Sequence, residues 1–229
     1  MWKPLFSVFS KDKLIDKAFE DSAKMLKLTE KMFHESKKGL REQDPEKILI
    51  DIYDADKKVN KFERKVRKEV LKDLAENGQD LYSGFLLVSI IVDIERIGDY
   101  AKNMLDLAKN YHEKLQCKSM EKDIVRLEAA IEDTFARVRK HFELADKDDA
   151  EKLLGEYLWV NQVCDKLTAS MIRGEDKSLP PSHAAAMALY VRYLKRINSH
   201  LRNVASSIVN PFDHISFNPQ HHRHKKADN

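Results

Sequence analysis

Residues that break helices are scarce in this sequence, which has six glycines and six prolines among 229 residues. Its abundant residues, Lys, Glu, Leu, Ala and Asp, are helix formers or helix-start residues more than strand formers. Because 42% of the chain is hydrophobic, it can bury a core, which excludes the disordered and collagen-like classes. The composition therefore predicts a globular, helical protein.

Cysteine is scarcer still, and long apolar runs are absent. Cys117 and Cys164 belong to no CxxC or Cys/His spacing, which excludes a disulfide framework and a structural zinc site and favours a reducing compartment. The longest apolar run, near 84–92, is about half of the roughly 20 residues that a membrane-spanning helix needs. The N-terminus also lacks the pattern of a secretory signal. We predict a cytoplasmic protein, peripheral to a membrane at most.

Positive and negative charges nearly balance in this sequence, because the formal net charge is +3. A nucleic-acid-binding protein would normally show a basic face or stripe, so no nucleic-acid partner is predicted. Residues 218–229 are basic and His-rich and are predicted to form a tail. A solvated terminus is the simpler interpretation of this tail, and a metal-binding His stretch is the alternative.

Capping residues and prolines divide the chain into six long helical segments. Apolar residues recur at steps of three and four within them, and short connections make neighbouring helices antiparallel, which favours a bundle. The first segment has Ser10 as its predicted N-cap, and the second begins at Asp44-Pro45 and stops at Asn77-Gly78. The six segments are approximately 10–42, 44–77, 80–112, 119–146, 148–174 and 181–210.

An internal repeat relates the two halves of the chain. A shift of 100 residues places the third segment on the sixth, and a shift of 105 places the second on the fifth. Identical pairs under the first shift include Arg96 and Arg196, Ile97 and Ile197, and Asn103 and Asn203. We therefore predict an all-α fold of six long helices in two repeated three-helix bundles, 1–113 and 114–217, followed by the tail.

Polar side chains follow one face of the second and third segments. The predicted ligands are Asp56, Asn60 and Glu63 on the second, and Glu95, Asp99 and Asn103 on the third, where Asp106 lies on the same side. Two facing helices could direct these oxygens at one metal ion, since hard cations, iron and manganese accept oxygen ligands. Alternatively, the acids pair with Arg64, Lys57, Arg96 or Lys102 on a solvated surface.

The second repeat lacks this acidic face. Its equivalent positions are Asn161, Asp165 and Thr168 on the fifth segment, and Lys195 and Ser199 on the sixth. Any metal site is therefore predicted on the first repeat, with His200 as a weaker alternative in the second. The core-facing helices have no Glu-x-x-His pair, and the chain has no Gly-rich phosphate loop, GxSxG or HExxH. We predict that the protein is not an enzyme.

Two stretches of the sequence resemble the PhoU family of bacterial phosphate regulators. The first is Asp93-Ile94-Glu95-Arg96-Ile97-Gly98-Asp99 followed by Asn103, which resembles the family's acidic-Arg-Ile-Gly-Asp signature. The second is Asp56 followed by Val59, Asn60 and Glu63, which resembles the other family segment. The resemblance covers approximately 10–211, and only the first repeat has it in full.

The resemblance implies a regulator of phosphate transport and phosphate-starvation signalling that acts through protein contacts. Its implied partners are a phosphate transporter subunit or a sodium–phosphate cotransporter, and a sensor histidine kinase; a homodimer is left open. In the family, E/DxxxD motifs hold iron or zinc. Here Glu95 and Asp99 match that motif, and Asp56 with Asn60 matches it imperfectly because an amide replaces an acid. Other divalent ions are not excluded. The alternative is a helical adaptor or transporter accessory protein that binds no metal.

Overall fold

The computed structural model describes residues 13–42, 45–76, 81–111, 113–144, 146–210 and 212–215. These residues form seven α-helices and three short 3₁₀ turns, and they contain no strand, which confirms the all-α prediction. The turns are Pro45–Lys47, Lys118–Met120 and Phe212–His214. The helices are α1 (Lys13–Arg41), α2 (Ile52–Glu76), α3 (Leu81–Asn110), α4 (Glu121–Leu144), α5 (Lys147–Glu156), α6 (Leu158–Ile172) and α7 (Pro181–Val209).

The second helix begins later than the sequence predicted. Pro45 opens a 3₁₀ turn instead of the α-helix, and α2 starts at Ile52. The carboxylate of Asp51 accepts a hydrogen bond from the backbone N–H of Asp54 (3.0 Å), which is the geometry of a helix cap. Glu35 of α1 accepts a bond from the N–H of Leu49 (2.6 Å) and holds the connection against α1. The predicted cap Ser10 and the stop at 77–78 lie outside the described residues.

The fifth predicted segment contains two helices, α5 and α6, which meet at Tyr157. The backbone of Tyr157 leaves the helical region there, with φ −101° and ψ 26°. Its hydroxyl donates to Asp133 of α4 (2.8 Å), and Glu156 accepts from Arg137 of α4 (2.8 Å). Two contacts to a neighbouring helix therefore lie at the break, and the low helix propensity of Gly155 favours it.

The helices pack in two groups that share one core. In one group α1, α2 and α3 pack against each other, and in the other α7 packs against α4, α5 and α6. Helices α3 and α7 lie side by side between the groups and run antiparallel, since Asp93 on α3 contacts His200 while Tyr111, directly after the end of α3, contacts His183. The boundaries 1–113 and 114–217 stay a prediction, and the tail 218–229 lies outside the described residues. Among the residues that the structure describes, no helix is long and apolar enough to span a bilayer.

A largely buried ion cluster connects the two groups. The guanidinium of Arg41, in the last turn of α1, contacts Glu121 and Glu128 of α4 and donates to the carbonyl of Leu115. The bond from Arg41 Nε to Glu128 Oε1 is 3.0 Å, and the hydroxyl of Tyr190 on α7 donates to the same oxygen (2.5 Å). One guanidinium therefore joins α1 to α4 and, through Glu128, to α7.

Gly98 brings α3 close to α1 and α2 beside the predicted site. A Cβ at this position would lie 3.3 Å from Cγ2 of Thr29 on α1 and 3.4 Å from Cγ1 of Val59 on α2. The contact with Thr29 is tight for carbon atoms and that with Val59 is at the short end of ordinary packing, so the absence of a side chain favours the approach. Asp99 follows Gly98 directly in the sequence. The close packing at Gly98 brings the face of α3 that carries Asp99 next to α2.

Candidate functional site

The six predicted site residues lie on two helices that pack together. Asp56, Asn60 and Glu63 are on α2, and Glu95, Asp99 and Asn103 are on α3. Every one of them is partly buried. Their spacing of three and four residues gives each helix one polar face, as the sequence indicated. The structure therefore brings the two predicted sets to neighbouring helices at the edge of the core. We call the surface that these six residues form the carboxylate face.

Lys102 lies between the two helices at this face. Its Nζ is 2.9 Å from Oδ2 of Asp56 on α2 and 3.2 Å from Oδ1 of Asp99 on its own helix. Burial alone would lower the pKa of this ammonium, but the hydrogen bonds with Asp56 and Asp99 outweigh it and raise the pKa above its usual value. The ammonium is therefore the bridge between the polar faces of α2 and α3.

Four more contacts involve the acids and the Asn60 amide of the face. The amide of Asn60 donates to the carbonyl of Asp56 (3.1 Å), so in this arrangement its nitrogen faces Asp56. Glu63 pairs with Arg67 one turn further along α2 (2.7 Å). Arg96 pairs with Asp99 (3.1 Å) and approaches Glu95 (3.6 Å). Arg96 and Lys102 thus take the roles that the solvated-surface interpretation gave them.

Glu95 shows that the carboxylates lie close enough to influence one another. Burial raises the pKa of Glu95, and the negative charges of Asp99, Glu63 and Asp56 raise it further, while Arg96 opposes the change. The surroundings of Glu95 therefore disfavour its charged form.

This arrangement does not fit a metal ion as it stands. Within the described ranges, no three His, Cys, Asp or Glu side chains form a group that could hold one. The ammonium of Lys102 contacts two of the predicted ligands, so a metal cation would have to displace it. The prediction of iron or zinc on this face stays a prediction.

His200, the alternative ligand in the second repeat, has another role. Its Nδ1 lies 2.7 Å from Oδ1 of Asp93, and the amide of Asn203 donates to the same oxygen (2.9 Å). Asp93 belongs to the run that resembles the family signature, yet it faces α7 and not the carboxylate face. Glu95 lies two positions further along α3, which is a rotation of about 200° around the helix. This rotation is the sequence signal that distinguishes the two acids.

The interface between α3 and α7 extends beyond the contact of Asp93 with His200. The guanidinium of Arg196 donates to the hydroxyl of Tyr100 (3.1 Å), and the rings of Tyr100 and His200 stack at 5.8 Å between centroids. At its far end Tyr111 and His183 share a 2.6 Å hydrogen bond. No local sequence pattern indicated the contacts Arg196–Tyr100 and Tyr111–His183, since each joins residues of different elements.

Comparisons with known proteins match this part of the chain. The family described as "PhoU domain" matches residues 22–108, a range that runs from α1 to near the end of α3 and includes all six predicted site residues. A protein of Clostridium acetobutylicum, the phosphate-specific transport system accessory protein PhoU homolog, is 24% identical over 219 residues. That similarity covers 88% of this chain and 93% of the relative. The resemblance stated from the sequence is confirmed.

Proposed function

We propose that this protein is an accessory regulator of phosphate transport, because residues 22–108 match the family described as "PhoU domain". The observation that carries the proposal is the family match to α1–α3. It is supported by similarity over 88% of the chain to a protein named as an accessory of a phosphate-specific transport system. In this role the protein is cytoplasmic, catalyses no reaction and acts by contact with a partner.

We propose that the partner is a phosphate transporter subunit or a sodium–phosphate cotransporter. Contact with a sensor histidine kinase is the finer part of the proposal and rests on the family resemblance. Exposed apolar side chains at the start of α3 support a protein-contact role, because aromatic residues are enriched at interfaces. Leu81 and Phe85 lie one turn apart and are 55% and 51% exposed, and the ring of Phe212 is 5.8 Å from that of Phe85.

The proposal has two versions, one with a metal ion on the carboxylate face and one without. In the first, Glu95, Asp99 and Asp56 would hold iron or zinc. The second is the accessory protein that binds no metal. The ion pairs of Lys102 with Asp56 and Asp99 favour the second version, while the regulatory role itself depends on neither.

Uptake of radiolabelled phosphate tests the regulatory role. Cells that lack the protein are compared with the parent and with cells in which the intact gene is restored, under phosphate-rich and phosphate-poor growth. We expect the dependence of uptake on external phosphate to change severalfold in the deleted strain and to return on restoration. Uptake of sulfate serves as the control. Identical phosphate uptake in all strains under both conditions would contradict the proposal.

A further inference from the structure

We infer that the ammonium of Lys102 is the built-in counter-cation of the carboxylate face, and that it joins α2 to α3 without a metal ion. The inference concerns how this face is neutralised and does not depend on the proposed function. It rests on the positions of the charged groups, on the partners of the other acids and on a corresponding pair in the second half of the chain.

The position of Lys102 suits this role. It lies three residues after Asp99 on α3, so the two side chains share a helix face, and it reaches across to Asp56 on α2. The three side chains are only 25%, 28% and 14% exposed, respectively, so water and salt screen the contacts less than at an open surface. The ammonium contacts both carboxylates at hydrogen-bond distance, which is where a bridging cation would have to be.

The remaining acids leave little demand for a second cation. Glu63 is paired with Arg67 at 2.7 Å, and the guanidinium of Arg96 lies 3.1 Å from Asp99 and 3.6 Å from Glu95. A metal ion bound by Asp56 and Asp99 would have to break both contacts of Lys102 and leave a like charge beside itself. Coulomb repulsion between the two cations opposes such binding.

The second half of the chain uses the same chemistry between the equivalent helices. There Lys195 of α7 forms an ion pair with Asp165 of α6. In both halves the acid lies on the middle helix and the lysine on the last helix of the repeat. The sequence positions differ, because Lys195 aligns with Glu95 and Asp165 with Asn60. The two halves therefore reach the same kind of helix-to-helix ion pair at different positions.

Metal analysis of the purified full chain tests the inference. The protein is produced in medium supplemented with iron and zinc, desalted, and analysed by plasma mass spectrometry, and its thermal unfolding is followed with and without EDTA. We expect far less than one equivalent of any transition metal, and the same Tm in both conditions. A wild-type protein that retains one equivalent of metal, or one whose Tm falls in EDTA, would overturn the inference.

Three variants separate the charge of Lys102 from its packing. Lys102→Met frees Asp56 and Asp99, and we expect a lower Tm together with Zn²⁺ affinity, measured by titration calorimetry, that rises about tenfold or more because two carboxylates become available. Lys102→Arg keeps the charge and should keep Zn²⁺ binding as weak as in the wild type. Lys57→Met is the matched control, since Lys57 is 78% exposed and its ion pair, with Asp54, lies along its own helix.

Equal Zn²⁺ affinity in the wild type, Lys102→Met and Lys57→Met would also count against the inference, because Lys102 would then not compete with a metal. If Lys102→Met does not fold, the metal content and EDTA response of the wild type still decide. The phosphate-uptake experiment has a separate readout, so failure of the regulatory role is distinguishable from failure of this inference.

Discussion

The substitution Arg41→Met tests how the two helix groups are held together. Methionine keeps much of the length of the side chain but removes the guanidinium, and with it the contacts to Glu121, Glu128 and the carbonyl of Leu115. Burial disfavours the charge of Arg41, yet the hydrogen bond with Glu121 and the charge of Glu128 raise the pKa of the guanidinium. The cluster is therefore built around this cation.

The expected loss in the free energy of unfolding follows from the exposure of the side chains of Glu128 and Glu121. The side chain of Glu128 is 10% exposed, and removal of one partner of a buried pair costs about 3–5 kcal/mol because the other charge is left uncompensated. The side chain of Glu121 is 43% exposed, so its pair adds less than about 1 kcal/mol. We expect Arg41→Met to lower the free energy of unfolding by about 4 kcal/mol in total.

Urea unfolding followed by far-ultraviolet circular dichroism measures this change. The matched control is Lys195→Met, because Lys195 also joins two helices, α7 and α6, through an ion pair, but the side chain of its partner Asp165 is 65% exposed. The control should lose less than about 1 kcal/mol. Adding Glu128→Gln to Arg41→Met should recover about 1–2 kcal/mol, because the uncompensated charge is removed. A loss in Arg41→Met no larger than in the control would refute the reasoning.

Three further predictions concern packing, pH and thiol chemistry. Gly98→Ala should be nearly neutral in urea unfolding, since higher helix propensity offsets a tight contact, whereas Gly98→Val should cost about 2 kcal/mol by overpacking; equal costs would contradict this. Hydrogen bonds with Arg137 and His141 lower the pKa of Asp149 from 3.8 to about 2. The carboxylate of Asp149 therefore stabilises the fold above pH 3.8, by about 1 kcal/mol after solvent screening is allowed for, and this stability is lost as the pH falls towards 2. An Asp149→Asn variant whose acid unfolding transition is unchanged would contradict this. Burial raises the pKa of both Cys117 and Cys164 to about 12, so an aromatic disulfide reagent should label neither thiol until denaturant is added, and rapid labelling of the native protein would contradict the packing.

The helices were predictable because their signals are local. The apolar stripe that includes Ile90, Ile94 and Ile97 follows the helical period, and all three side chains are buried as that period indicates. The start of α2 was misplaced because Asp44-Pro45 has the local pattern of a helix start. The contact that holds this connection, from the N–H of Leu49 to Glu35, joins residues in different elements and leaves no periodic pattern.

The break between α5 and α6 has a similar origin. Gly155 was the local signal for it, but a single glycine inside a helical pattern is often tolerated. The hydrogen bond from Tyr157 to Asp133 links the break to α4, and it is a property of the packed helices. A sequence pattern predicts which face of each helix is buried more readily than it predicts the contacts between helices.

The positions of the acids on one face of each helix were predictable, but the cation that lies between them was not. Spacing placed Asp56 on one helix and Asp99 on another, and Lys102 was among the basic residues considered as partners. Which cation comes to lie between the acids depends on the rotation and separation of α2 and α3, which Gly98 helps to set through its contacts with both neighbours. That information is tertiary, and the position of the Lys102 ammonium became apparent only from the packed helices.

The central claim, that the protein acts on phosphate transport by protein contact, is tested most directly by affinity purification of the tagged full chain after cross-linking in cells. The bound proteins are identified by mass spectrometry, with a tagged unrelated helical protein as the control. The proposed function predicts that a phosphate transporter subunit or a sodium–phosphate cotransporter is enriched with the tagged chain and not with the control. Reproducible recovery of other partners without any phosphate transporter, under both phosphate-rich and phosphate-poor growth, would contradict it.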